Sequence, residues 1–169
     1  MKYTTHDNGS NPFAVEIASN TATITNNYTG KHIVKYPVLD SWIGHSSGKT
    51  SACDHKPAQS KLFDGNTVLI KVSAQKYVFI GHEIYEFSLT DKVKEYHSPV
   101  GNNDVPYPVI ITDEDVIFLL DMVAVPKSVF LRSIASGIWE DVYGDFYQLE
   151  RHLKSIRKVP HKVIAKRQM

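Results

Sequence analysis

At 169 residues the chain has the size of one domain, and its 42% share of hydrophobic residues can build a core without covalent or metal staples. Cys53 is the single cysteine, which excludes an intramolecular disulfide and a cysteine-paired zinc site and fits a reducing compartment. The net charge of +1 conceals an asymmetry. Residues 151–169 hold seven of the nineteen Lys/Arg and none of the eighteen Asp/Glu, so the rest of the chain is left with twelve basic against eighteen acidic residues.

The opening MKYTTHDNGSN lacks the apolar stretch of a secretory signal, and the longest apolar region, Val116–Val125, is interrupted by Asp121 and far too short to cross a bilayer. An intracellular protein without membrane attachment is expected. Nine Tyr and seven Phe predict an aromatic core in which buried hydroxyls need partners.

In chain order, Phe13–Ala18 and Thr21–Thr25 flank Ser19-Asn20 and read as a hairpin, because Asn tolerates turn geometry. His32–Leu39 reads as a strand that Pro37, having no N–H, places at an edge. Gly44–Lys61 is rich in Ser, Gly, Lys and His with little periodicity and reads as a long surface loop. Val68, Ile70 and Val72 alternate, Tyr77–Ile80 follows a four-residue break, and Glu83–Leu89 puts Tyr85, Phe87 and Leu89 on one face. Those three runs predict a meander. Ser98–Pro108, with three prolines and three Asx residues, predicts an ordered turn region. Val109–Thr112 and Val116–Leu120 flank Asp113-Glu114-Asp115 as a second hairpin, with Met122–Val125 continuing the sheet. Val116–Leu120 is apolar on both faces and should be central.

Past Ser136 the period changes. Ile138, Val142, Phe146, Leu149, Leu153 and Ile156 recur at three or four residues and predict an amphipathic helix over 138–157, in spite of Gly144. Pro160 ends the pattern, and 159–169 reads as a flexible basic tail. The fold expected is therefore α+β: a single domain over 1–158, predominantly antiparallel β-sheet, with a C-terminal amphipathic helix packed on it or exchanged with a partner.

Two segments, Trp42–Phe87 with SSGKTSACDHKPAQSKLFDGNTVLI and KYVFIGHEIYEF, and Glu95–Pro126 with EYHSPVGNNDVPYPVIITDEDVIFLLDMVAVP, resemble a group of uncharacterised proteins encoded by large and giant DNA viruses. The phrases IGHEIYEF and SPVGNNDVPYP carry the likeness, which covers about half the chain and least of residues 1–41 and the basic tail. The resemblance implies a viral origin and a place in the host cytoplasm, a viral factory or the particle. It supplies no catalytic residues.

Sites of chemistry are sparse. Gly44-His-Ser-Ser-Gly48-Lys49-Thr50 looks like a phosphate loop, but three residues rather than four separate its glycines and no helix pattern follows. Cys53-Asp54-His55 could make a Cys-dependent enzyme, yet in an extended segment Asp54 falls out of phase with His55 and could not orient it. His45, His55, His82 and His97 lack metal-ligand spacing, and Asn102, Asn103 and Asp104 lack a calcium-loop register, so neither metal nor cofactor is expected. The strongest candidates for nucleic-acid binding are Arg151, Lys154, Arg157, Lys158, Lys162, Lys166 and Arg167, whose charges could neutralise phosphates. In the competing reading they meet the acidic body of a second copy, with Leu149, Leu153 and Ile156 in a homodimer interface. A non-enzymatic, homodimeric viral accessory or virion protein is the leading expectation. The nucleic-acid binder and the Cys-dependent enzyme are its alternatives.

Overall fold

A computed structural model describes residues 2–4, 12–45, 52–57, 67–97, 108–128 and 157–166. Each element whose bounds lie among these residues is a β-strand. Strands β1 (Lys2–Thr4), β2 (Phe13–Ala18), β3 (Thr21–Asn26) and β4 (His32–Pro37) form a four-stranded sheet in that order. A six-stranded sheet contains β5 (Asp40–His45), β6 (Ala52–Pro57), β7 (Thr67–Lys71), β8 (Lys76–Ile80), β9 (Ile84–Ser88) and β15 (His161–Ala165), ordered β15-β9-β8-β7-β5-β6. The five-stranded sheet is β10 (Glu95–His97), β11 (Val109–Ile111), β12 (Asp115–Phe118), β13 (Val123–Pro126) and β14 (Arg157–Lys158), again in sequence order. All pairings are antiparallel.

Local chemistry sets the hairpins. Ser19 and Asn20 take φ of 50° and 61°, the left-handed pair whose twist matches the flanking strands, and β2 and β3 therefore pair from Ala18↔Thr21 to Phe13↔Asn26. At the β3–β4 turn the Asn26 side-chain oxygen accepts the N–H groups of Tyr28 at 2.8 Å and Thr29 at 3.1 Å. Thr112 organises the β11–β12 turn in the same way, its hydroxyl accepting the Asp115 N–H at 3.0 Å.

The six-stranded sheet is the middle of three layers. Val68, Ile70, Val78, Ile80 and Ile84 on one face pack with Phe13, Val15, Ile17, Ile24, Tyr36 and Val38 of the four-stranded sheet and its exit. The alternate residues Leu69, Tyr77, Phe79 and Phe87, with Trp42, pack with Tyr96, Ile110, Ile117, Leu119, Met122 and Ala124 of the five-stranded sheet. The period of two explains how β7 and β8 can be apolar at nearly every position: each face has its own core. In β11–β13 the second face is apolar too, with Val109, Val116, Phe118, Val123 and Val125 all buried. Buried tyrosines find partners, Tyr96 sharing a hydrogen bond with the Thr67 hydroxyl and Tyr36 donating to Glu86.

Several expectations change. The described part is all-β, so the α+β assignment gives way to three antiparallel sheets. Ile138–Ile156, the body of the expected C-terminal helix, lies outside the described residues, and its last position, Arg157, is in a strand paired with Ala124. His161–Ala165, inside the segment read as a flexible tail, is a strand hydrogen-bonded to β9. Within the expected Gly44–Lys61 loop, residues 44–45 and 52–57 belong to the paired strands β5 and β6, with Gly44 opposite Cys53; residues 46–51 and 58–61 lie outside the described residues. The β2–β3 hairpin, the edge position of β4, the β7–β8–β9 meander and the central position of β12 agree with the sequence reading. The turn region expected at 98–108 is described only at Pro108.

Truncating the middle layer tests its two-sided burial: Ile70→Ala should lower the unfolding free energy by about 2–5 kcal/mol in urea denaturation. At Gly81 a Cβ would stand 2.9 Å from the Phe79 ring. Gly81→Ala should therefore cost about 1–3 kcal/mol by the same measurement, because a packed ring has to move.

Candidate functional site

The basic C-terminal run, the strongest sequence candidate, forms a strap across two sheets. Its first half, β14, extends the five-stranded sheet through Ala124↔Arg157 and Val123↔Lys158. Val159 is then buried in the second core, and its N–H donates to the Met122 carbonyl at 2.8 Å. Met122 sits at φ 51°, a costly conformation for a residue with a Cβ, at the turn into β13. After Pro160 the chain continues as β15 along β9, with His161 opposite Phe87, Lys162 opposite Glu86 and Val163 opposite Tyr85. The register then skips, since Ala165 pairs with Ile84, which makes Ile164 the extra residue of a β-bulge. Both Ile164 and Ala165 consequently reach the first core.

The strap's charges have distinct fates. Arg157 grips Asp115 with two nitrogens, Nη1 at 3.0 Å from Oδ1 and Nη2 at 2.5 Å from Oδ2. This two-pronged bond to the carboxylate raises the Arg157 pKa further. Lys158, Lys162 and Lys166 are exposed. Lys162 also lies close enough to Glu86 to favour its charged form. The other proposed phosphate contacts, Arg151, Lys154 and Arg167, and the proposed interface residues Leu149, Leu153 and Ile156, lie outside the described residues.

Glu86 is an ionisable group at which several strands meet, and it carried no signal in the sequence. Its Oε2 accepts the Tyr36 hydroxyl at 2.9 Å, and its Oε1 stands 2.5 Å from the Lys76 ammonium. Three elements thereby converge on one side chain: β4 of the outer sheet, β8 beside it, and β15 through Lys162. Burial pushes the Glu86 carboxyl up, but the hydrogen bonds from Lys76 and Tyr36 and the charges of Lys76 and Lys162 outweigh it and leave the group below its ordinary value. Burial, then the Glu86 hydrogen bond and charge, hold the Tyr36 hydroxyl far above its usual range. At neutral pH the carboxylate stays ionised and the phenol stays protonated. Such a pair latches sheets together and is poorly poised for proton transfer.

A second corner joins the strap to β9. The His161 ring meets Tyr85 edge-on at 5.1 Å, and its Nδ1 lies 2.9 Å from the Val159 carbonyl. Burial, reinforced by Glu83 and Asp121, pushes the Tyr85 hydroxyl up to about 12.

The Cys53-Asp54-His55 run lies in β6, which pairs with β5 through Gly44↔Cys53, Ile43↔Asp54 and Trp42↔His55. Among the described residues no three His, Cys, Asp or Glu side chains come together as a metal site, and no helix is long and apolar enough to cross a membrane. Comparison with protein-family models, with curated proteins and with solved structures returned no match.

The Glu86 latch predicts a defined pH window. A carboxyl with a lowered folded pKa stabilises above its unfolded value and loses that contribution as pH falls through the folded one. A phenol with a raised pKa stabilises below its unfolded value of 10.0 and loses the contribution as pH rises beyond it. Denaturant midpoints should therefore be flat near neutrality and fall on both sides. Glu86→Gln should flatten the acid limb and Tyr36→Phe the alkaline limb; unchanged limbs in both variants would remove the latch.

Proposed function

We propose that the chain is a non-enzymatic viral accessory or virion-associated protein that works through protein–protein contacts as a homodimer. The observation that carries this reading is the match between the basic strap and carboxylates of its own chain. Arg157 is committed to Asp115, and Lys162 stands beside Glu86. A basic segment that recognises acidic protein surface within one copy is chemically suited to recognise it on another. Large apolar side chains also stand exposed beyond either end of β4, Tyr28 at 53% and Leu39 at 58%, and a partner surface would cover them. Viral origin is supported by the IGHEIYEF and SPVGNNDVPYP resemblance.

Static light scattering of the full chain tests the homodimer. Twice the 19.1 kDa chain mass is expected, with a shift toward the monomer in the Tyr28→Ser, Leu39→Ser double variant. A wild-type mass of one chain at micromolar concentration would overturn the reading.

One observation favours a second reading, electrostatic nucleic-acid binding. Lys158, Lys162 and Lys166 are all exposed, one in β14, one in β15 and one just beyond it, so they offer phosphates three cations along the strap. Fluorescence titration with duplex DNA and RNA at low and physiological salt should then show salt-steep binding. Lys158→Gln and Lys166→Gln should each reduce the salt slope by about one counterion. Equal affinity in wild type and variants excludes the strap as the contact.

A further inference from the structure

The two sheet edges formed by β4 and β15 share an arrangement that the proposed function does not use. Among the described residues β4 closes one side of the four-stranded sheet and β15 one side of the six-stranded sheet, so each turns one row of backbone N–H and C=O groups away from the strand it pairs with there. Such rows accept a strand from another chain, and an exposed β-branched residue makes the addition stickier. Both strands carry one: Ile33 is 36% exposed and Val163 is 38% exposed.

We infer that Lys35 on β4 and Lys162 on β15 are edge guards, which prevent a second copy of the chain from adding a strand beside Ile33 or Val163. Each edge combines a lysine with a bulge. In β4 the partners Ile24↔Val34 and Thr25↔His32 leave Ile33 as the extra residue, two positions from exposed Lys35. In β15 the extra residue is Ile164, two positions from exposed Lys162. A bulge twists an edge out of register with an incoming strand, and burying a lysine against that strand would strip its water. β4 has a third device. The Val38 N–H points inward to the Asn20 carbonyl, so the alternate position, Pro37, lies on the outward row and presents no donor there.

This role goes beyond the homodimer reading, because strand addition is measured against whatever mass the wild-type protein has. It also separates from phosphate binding by charge sign. A guard must be charged, and either sign serves; a phosphate contact must be positive. Lys35→Val, on an exposed position outside the Glu86 latch, and Lys162→Val, which also removes a charge beside Glu86, should each raise the weight-average mass in light scattering about twofold or more on incubation and enhance thioflavin T fluorescence. Lys35→Val is the variant that tests guarding apart from the latch. Lys35→Glu should keep the wild-type mass. Valine variants that stay at the wild-type mass, or a glutamate variant that assembles as readily as valine, would refute the guarding role.

Discussion

The six-stranded sheet gives up both of its faces to core, and the rest of the molecule is arranged around that requirement. In β7 and β8 almost every side chain is apolar and buried, from Val68 to Ile70 and from Tyr77 to Ile80. Leaving either face in water would forfeit roughly 1.5–3 kcal/mol for each large side chain uncovered. Two further sheets are therefore needed, one for each phase of the strand period. The four-stranded sheet meets this with aliphatic residues, Val15, Ile17 and Ile24, facing Ile70 and Ile80. The five-stranded sheet faces the aromatic side, where Trp42 meets Tyr77 at 44°, Tyr77 stacks on Phe87 at 22° and Phe79 stacks on Tyr85 at 18°.

Layers held by non-directional apolar contact can slide, and polar groups at their margins supply direction. Tyr36 reaches from one layer to Glu86 in the next, and Thr67 meets Tyr96 across the other interface. A half-buried carboxylate is expensive to desolvate, and the Lys76 ammonium, the Tyr36 hydroxyl and Lys162 offset that cost together. The C-terminal strap acts in the same sense. It joins two sheets within a few residues, buries Val159 on one side of Pro160 and Ile164 on the other, and accepts a left-handed Met122 to place the carbonyl that holds it.

What could be read from the sequence was local. Ser19-Asn20, the Asp113-Glu114 turn and the alternation through Val68–Leu89 each declare a hairpin within a few residues, and each is present. Pro37 announced an edge because its missing N–H is a property of one residue. The β5–β6 hairpin was missed because GHSSGKTSACDHK has the polar composition of a loop; an edge strand with a polar sequence gives the same signal. His161–Ala165 was missed for a related reason, since its strand character comes from pairing with residues far earlier in the chain, as Val163↔Tyr85, 78 positions apart, shows. Glu86 was invisible as a junction. Within IYEFSL it is the polar member of an alternating run, and nothing nearby points to Tyr36, fifty residues away.

The basic C-terminal segment shows why a charge count and a charge surface are different quantities. Seven cations without one anion suggest a tail reaching for phosphates. In the folded chain the described part of the segment pairs with β13 and β9, and Arg157 is bound to Asp115. Its exposed lysines then sit at the margins of two sheets, Lys158 in β14 at the end of the five-stranded sheet, Lys162 in β15 at the end of the six-stranded sheet and Lys166 just beyond it. Lys162 has two jobs open to it at once, favouring the ionised Glu86 on the inward side and keeping foreign strands from the outward side. Both follow from the position of β15 at the end of the sheet, and neither requires a nucleic acid.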